Sequence, residues 1–263
     1  MRAIGLLLIV PVIMWCTQSV LLLRAGLPLR LRINASDLPR HLKRYNRVST
    51  YVAFALVLIG YPVWRGQSPL AYYAAFFPLG RAPWGMLEGF AAAVLYLTLL
   101  YLAWLASDNI QFRVRHEPGR LVKRLVGVPF TALLVAFVEE LLFRAVLLAD
   151  LMESMNPWVA VVLGAAIFAG AHYVRSVKRY WTIGGHLGLG LLLCVAFACT
   201  HSLWLPMGLH AAGIVMLLGT RPFIRYDGPA WLVGASIFPY AGVAGIIGLA
   251  LLTFDVFVRY GGP

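Results

Sequence analysis

The stretch that decides the fold of this chain is an apolar segment that carries three charges, Phe137-Val138-Glu139-Glu140-Leu141-Leu142-Phe143-Arg144. The residues around it, 128–138 and 145–149, are almost entirely apolar. An ionised side chain in the middle of a membrane costs ~2.5–3.5 kcal/mol or more on insertion scales. Packing alone does not explain three such groups in one segment, which therefore indicates a functional site.

The three charges have different expected roles. Glu140 and Arg144 are four residues apart, so they share one face of a helix and are expected to pair. Glu139 points ~100° away on a helix of ~3.6 residues per turn, and it has no cation nearby in the sequence. An unpaired carboxylate in apolar surroundings is suited to accept a proton, which makes Glu139 a candidate general base. The alternative is a purely structural ion pair between transmembrane helices.

The composition is that of a membrane protein. Of the 263 residues, 61% are hydrophobic and 12% are charged, whereas a soluble domain has ~45–50% apolar and ~25% charged residues. Apolar runs of ~18 or more residues are long enough to cross a bilayer. We therefore predict an all-α polytopic transmembrane bundle that forms one integral membrane domain, 1–263, with eight spans at about 3–23, 50–64, 84–106, 125–150, 157–174, 183–200, 203–219 and 231–258.

Two segments need separate interpretation. The N-terminal apolar run continues past residue 20 without a small-residue cleavage pattern, so we predict a retained first span rather than a signal peptide. The short run 70–79 is expected to be a re-entrant or interfacial segment.

The basic residues indicate orientation. The net charge of +12 would suit a nucleic-acid partner, but the lysines and arginines concentrate in alternate loops, 24–47, 113–124, 175–179 and 221–225. The positive-inside rule assigns these loops to the cytoplasm and both termini to the outside. We expect the plasma membrane of a prokaryote, a lipid bilayer as surroundings and no nucleic acid. Cys16, Cys194 and Cys199 lie in apolar runs without a metal-binding spacing and are expected to pack as small apolar residues.

Two histidines join Glu139 as intramembrane polar groups. His172 ends the segment Phe168-Ala169-Gly170-Ala171-His172, and His210 lies among small residues in the seventh span. With a rise of ~1.5 Å per residue, both reach a depth at which they can meet Glu139. His186 and His201 lie near span ends, so we expect them at the membrane interface and leave them out of the site.

This set of residues suits hydrolysis by an activated water molecule. The chain has neither an HExxH nor a GxSxG motif, which disfavours a zincin and a serine nucleophile. A glutamate and a histidine can deprotonate water, and a second histidine can donate to the developing oxyanion. Glu139, His172 and His210 also form a Glu/His/His set of the kind that binds zinc, so zinc-dependent hydrolysis stays open as the alternative.

The three motifs resemble those of the CAAX protease and bacteriocin-processing family of intramembrane endopeptidases. The family pattern of EExxxR, FxxxH and HxxxN corresponds in order to Glu139–Arg144, Phe168–His172 and His210–Ile214, within a motif-bearing core of about 125–220. The resemblance implies that Glu139 and His172 activate water and that His210 helps to form the oxyanion hole. It implies supporting roles for Glu140, Arg144 and Phe168, and a glutamate-dependent reaction without a cofactor is favoured over a zinc-dependent one.

One motif position departs from the family. Ile214 stands where the family has asparagine, which removes one oxyanion donor. The leading hypothesis is an endopeptidase that cleaves a membrane-anchored or hydrophobic peptide. The alternatives are a non-catalytic immunity or scaffold protein, which Ile214 favours, and a transporter that uses the same residues as a proton or metal relay.

Overall fold

The computed structural model of the chain describes residues 2–30, 38–39, 41–114, 117–173, 180–234 and 238–261. Its α-helices are α1 (Arg2–Leu7), α2 (Ile9–Arg24), α3 (Leu42–Trp64), α4 (Pro69–Ala74), α5 (Trp84–Ala106), α6 (Pro118–Glu140), α7 (Ala149–Ser154), α8 (Pro157–Ala171), α9 (Ile183–Thr200), α10 (Trp204–Thr220), α11 (Ala230–Val233) and α12 (Val243–Tyr260). A π-helical segment, Leu141–Leu148, joins α6 to α7. Within the described ranges the strands are β1 (Ile110–Phe112) and β2 (Ile224–Tyr226).

The expected all-α polytopic bundle is confirmed. Among the described residues, five helical stretches are long and apolar enough to cross a membrane, namely Arg2–Arg24, Leu42–Trp64, Trp84–Ala106, Ile183–Thr200 and Val243–Tyr260. The helices Pro157–Ala171 and Trp204–Thr220 are apolar but shorter. Together with the charged helix formed by α6, the π-helical segment and α7, they follow the predicted order of spans.

Two predicted boundaries were wrong. The second span was expected to start at residue 50, but its helix begins at Leu42. Hydropathy missed the first turns of this helix because they are polar and basic. The last span was expected to start at residue 231, but α12 begins only at Val243. The apolar residues before it form the short α11 and a 3₁₀ turn at Pro239–Ala241, which hydropathy alone does not separate from a span.

Contacts between loops show which helix ends share a side of the bundle. β1 pairs antiparallel with β2, so the loops that follow α5 and α10 lie together. At other helix ends, Arg65 Nη1 lies 2.6 Å from Glu153 Oε2, and the Tyr260 hydroxyl donates to Glu88. This grouping agrees with the alternation of sides that the eight-span topology requires. Parts of the basic loops, residues 31–37, 40, 115–116 and 174–179, lie outside the described residues.

The segment after α3 folds back into the bundle. Ser68 caps α4 by accepting from Ala71 N at 3.3 Å, and the chain that follows contacts the start of α10 through Leu203 N, which donates to Phe76 O at 2.9 Å. Tyr72 is buried, and its hydroxyl donates to the carbonyl of Ala145 at 2.6 Å. Because Ala145 lies in the π-helical segment, α4 supports the charged helix from inside the bundle.

The π-helical segment replaces the α-helix expected through Arg144. All eight of its residues are buried, so this wider turn lies in the packed centre of the protein. Such segments have i→i+5 hydrogen bonds and frequently occur at functional sites. Close packing nearby brings α5 against α10. A Cβ atom on Gly208 would overlap the carbonyl of Met86, so only glycine permits this approach two residues before His210.

Candidate active site

Glu140 and Arg144 form the ion pair that their spacing predicts. Both side chains have no exposed surface. Arg144 Nη1 donates to Glu140 Oε1 at 3.3 Å, and Nε lies 3.2 Å from Oε2, close enough for charge pairing but not aligned as a hydrogen bond. The Phe168 ring covers the guanidinium, with Arg144 Cζ 4.6 Å from the ring centroid. The supporting residues of the first two motifs therefore form one buried cluster.

His210 is attached to this cluster, a contact that the sequence did not predict. Its Nδ1 lies 2.7 Å from Glu140 Oε1. Because Glu140 is paired with Arg144, its carboxylate is the acceptor and His210 Nδ1 is the donor. The other ring nitrogen, Nε2, lies 3.7 Å from Glu139 Oε2. His210 thus stands between the two adjacent carboxylates.

Glu139 differs from its neighbour in exposure. Its side chain is 25% exposed, whereas that of Glu140 is fully buried. Within the described ranges Glu139 Oε2 has no hydrogen-bond partner, and the separation of 3.7 Å from His210 exceeds hydrogen-bonding distance. Glu139 therefore has a buried carboxylate oxygen, Oε2, that makes no hydrogen bond within the described residues and lies beside an imidazole.

The geometry of His172 fixes its tautomer. His172 caps the C-terminus of α8, and its Nδ1 lies 2.8 Å from the carbonyl oxygen of Phe168. A carbonyl only accepts, so Nδ1 carries the proton and Nε2 of the neutral ring keeps its lone pair. The Phe168 ring lies between the two histidines, with centroid distances of 4.6 Å to His172 and 6.2 Å to His210.

A cavity of about 340 Å³ joins these groups. Glu139, His172 and His210 all line it. Thr131, Val135 and Glu139 are spaced four residues apart on α6, so one face of that helix forms a wall of the cavity. The remaining surface is largely apolar, and it includes Ile214, Leu217, Leu189, Leu192, Leu249 and Leu252. The cavity thus combines a small polar cluster with walls that suit an apolar segment of substrate.

His186 was wrongly left out of the site predicted from the sequence. It is 4% exposed, it lines the same cavity, and its ring centroid lies 4.9 Å from that of His172. The residues near the start of α9 are covered by the turn at Pro239–Ala241, which position within a span cannot reveal. The sequence carried no signal for His186 beyond a histidine in an apolar run. His201, by contrast, is exposed at the C-terminus of α9.

Metal binding is the alternative role that the sequence left open for these side chains. Across the described residues, no group of three or more histidine, cysteine, aspartate or glutamate side chains is arranged to hold a metal ion. Nδ1 of His210 and of His172 is used in a contact with a protein acceptor, so Nε2 is the atom that each ring offers to the cavity.

Comparison with known families agrees with the motifs. Residues 121–216 match the family model described as type II CAAX prenyl endopeptidase Rce1-like. The resemblance drawn from the three motifs is confirmed over that segment, which contains all the motif residues. The match favours the peptidase class for the motif-bearing segment. Comparison with curated proteins and with solved structures gives no match.

Proposed function

We propose that this chain is an intramembrane endopeptidase that hydrolyses a peptide bond with a water molecule activated by Glu139 and His172. The observation that carries this proposal is the single cavity lined by Glu139, whose Oε2 has no hydrogen-bond partner among the described residues, and by His172 and His210. The Rce1-like match of residues 121–216 supports the same class of reaction.

The first step uses the carboxylate of Glu139 and the unprotonated Nε2 of His172, whose Nδ1 donates to the carbonyl of Phe168. Glu139 takes a proton from water while His172 Nε2 accepts the second water proton in a hydrogen bond. The water oxygen adds to the carbonyl carbon, and the electron pair of the C=O bond moves to the carbonyl oxygen. The intermediate then collapses, the C–N bond breaks, and the amine leaves with the proton held by Glu139.

His210 is placed to stabilise the oxyanion of this intermediate. Its Nδ1 already donates to Glu140, so Nε2 can donate to the oxyanion only if the ring is an imidazolium ion. Carboxylates on both sides balance that positive charge. Glu140 and Arg144 orient His210 from the buried side, and this explains why the motif needs a second glutamate that does not reach the cavity.

The orientation and domain structure belong to the same proposal. We assign the basic loops to the cytoplasm, and His172 and His186 lie at the ends of α8 and α9 that face that side. The substrate peptide therefore enters from the cytoplasmic half of the membrane. The chain 1–263 acts as one integral membrane domain with its motif-bearing core at about 125–220, because Ala3 near one end and Val256 near the other share one hydrophobic core.

A non-catalytic role is the second candidate, and Ile214 is the observation that favours it. Ile214 lines the cavity but cannot donate a hydrogen bond to an oxyanion. An immunity or scaffold protein would keep the buried Glu140–Arg144 pair for folding and would not need a reactive Glu139.

One experiment separates the two candidates. The purified chain is reconstituted in liposomes with a pool of lipid-anchored peptides that carry a fluorophore and quencher on either side of the cleavable bonds. We expect hydrolysis by the natural protein and none by Glu139→Gln. Asp255→Asn is the matched control, since this exposed carboxylate on α12 pairs with Arg259 at 2.9 Å and should leave cleavage unchanged. Equal hydrolysis by Glu139→Gln and the natural protein would refute the proposal.

A further inference from the structure

His186 and Tyr240 form a second polar pair at the active-site cavity. Both side chains line the cavity that contains Glu139 and His172. They belong to α9 and to the 3₁₀ turn Pro239–Ala241, so Tyr240 lies outside the segment that matches the Rce1-like family. The mechanism described above uses neither of them. Because Ile214 cannot donate a hydrogen bond, that mechanism lacks a neutral donor to the oxyanion.

The contacts of His186 show which atom is the donor in the hydrogen bond between His186 and Tyr240. His186 Nδ1 lies 3.0 Å from the carbonyl oxygen of Thr182, so Nδ1 is the donor. Nε2 of the neutral ring is therefore an acceptor. The Tyr240 hydroxyl lies 3.4 Å from that Nε2 and donates to it. A separation at the long end of the hydrogen-bonding range leaves the hydroxyl free to turn toward a stronger acceptor.

Close packing holds the tyrosine in place. A Cβ atom on Gly185 would come within 2.6 Å of Ala241 Cα, and a Cβ atom on Gly245 would come within 2.5 Å of Tyr240 Cα. The helices α9 and α12 therefore approach the 3₁₀ turn at Gly185 and Gly245, where a larger residue would overlap the turn. Tyr240 is only 7% exposed and lines the cavity.

The pair is adjacent to the water-activating residues. The rings of His186 and His172 are 4.9 Å apart, and those of His186 and Tyr240 are 5.7 Å apart. Tyr240 and Glu139 line the same cavity. A neutral hydroxyl donor at this place suits an oxygen atom that becomes negatively charged during the reaction.

We propose that Tyr240 donates a hydrogen bond to the oxyanion of the substrate and that His186 is the positioning residue that holds its hydroxyl. This inference rests on the proposed peptidase function. As water adds to the carbonyl carbon, the Tyr240 hydroxyl turns from His186 Nε2 to the oxyanion and keeps its own proton. When the C–N bond breaks and the carbonyl re-forms, the hydroxyl returns to His186.

The test compares two substrates in reconstituted liposomes. One is a lipid-anchored fluorogenic peptide that the natural protein cleaves, and the other has sulfur in place of the oxygen of its scissile carbonyl. Sulfur accepts hydrogen bonds poorly, so the ratio of the two cleavage rates reports donors to the oxyanion. We expect Tyr240→Phe to lower kcat by about 10²–10³, as loss of one oxyanion donor does, with little change in KM. Its oxygen-to-sulfur rate ratio should fall well below that of the natural protein.

Tyr96→Phe is the matched control. Tyr96 lines the same cavity, but its hydroxyl is committed to the carbonyl of Gly245 at 2.7 Å. Its loss should reduce thermal stability and keep the natural rate ratio. As a single substitution, His186→Phe should lower kcat. In the Tyr240→Phe background it should lower kcat little further, because His186 acts through the Tyr240 hydroxyl.

The outcomes distinguish this inference from the peptidase function. A natural rate ratio in Tyr240→Phe would overturn the donor role while leaving the peptidase intact. Absence of cleavage by the natural protein would overturn both. If Tyr240→Phe does not fold, 3-fluorotyrosine at position 240 keeps the ring and makes the hydroxyl a stronger donor, so the rate ratio should rise. An unchanged ratio with fluorotyrosine would also refute the proposal.

Discussion

His210 Nδ1 donates to Glu140 Oε1 at 2.7 Å, although the two residues are 70 positions apart in the chain. This bond connects the buried ion pair of α6 and the π-helical segment to the histidine that faces the cavity. Glu140 therefore both balances the charge of Arg144 and orients His210. The Glu140 side chain thus connects the buried ion pair to the cavity-lining histidine.

This connection predicts that Glu139→Gln and Glu140→Gln differ in kind. Removing the Glu140 charge leaves Arg144 buried without a partner, which costs about 3–5 kcal/mol, and releases His210. We expect Glu140→Gln to lower both thermal stability and kcat. Glu139→Gln should be inserted and stable but inactive, because Glu139 is partly exposed and makes no hydrogen bond through Oε2. Thermal unfolding in detergent and peptide cleavage measure the two effects, and equal loss of stability would contradict this division.

Tyr72 should support the site from a distance. Its hydroxyl donates to the carbonyl of Ala145 in the π-helical segment, and Tyr72→Phe removes this buried hydrogen bond at a cost of about 0.5–1.5 kcal/mol. We expect lower stability together with reduced kcat, since the same segment carries Arg144. Tyr73→Phe is the control, because Tyr73 donates to the carbonyl of Leu58 at 2.8 Å, away from the motif. A reduction in kcat of the same size in both variants would show that Tyr72 has no special relation to the site.

Ile214→Asn tests the missing donor. Ile214 is one helical turn from His210 and lines the same cavity. An asparagine there can donate to the oxyanion, so the variant should cleave peptide as fast as the natural protein or faster. Ile214→Val is the control for a change of shape without a donor. Complete loss of cleavage in Ile214→Asn, with folding retained, would indicate that this wall of the cavity binds apolar substrate and has no access to the oxyanion.

Metal removal distinguishes the two mechanisms that the sequence left open. In the glutamate-dependent mechanism proposed above, Glu139 and His172 activate the water molecule without a metal ion. That mechanism predicts that purified protein keeps its activity after exhaustive chelation and contains no stoichiometric zinc by elemental analysis. One tightly bound zinc per chain, with activity that is lost on chelation and restored by zinc, would make Glu139, His172 and His210 ligands instead.

The sequence by itself determined the membrane class, the order of the spans and the Glu140–Arg144 pair. These features depend on local properties. A run of apolar residues predicts a span from its own length, and residues four apart meet on any helix. The motifs also identified Glu139, His172 and His210 as candidates, because intramembrane polar groups are costly and few.

Only the tertiary structure decided which side chains meet across helices. The bond between His210 and Glu140 and the position of His186 beside His172 depend on how α8, α9 and α10 pack around the charged helix. The placement of Tyr240 at the cavity depends on glycines in α9 and α12 that let a short turn enter between them. Hydropathy does not report these contacts, because an apolar helix can turn any of its faces toward its neighbours until close packing selects one.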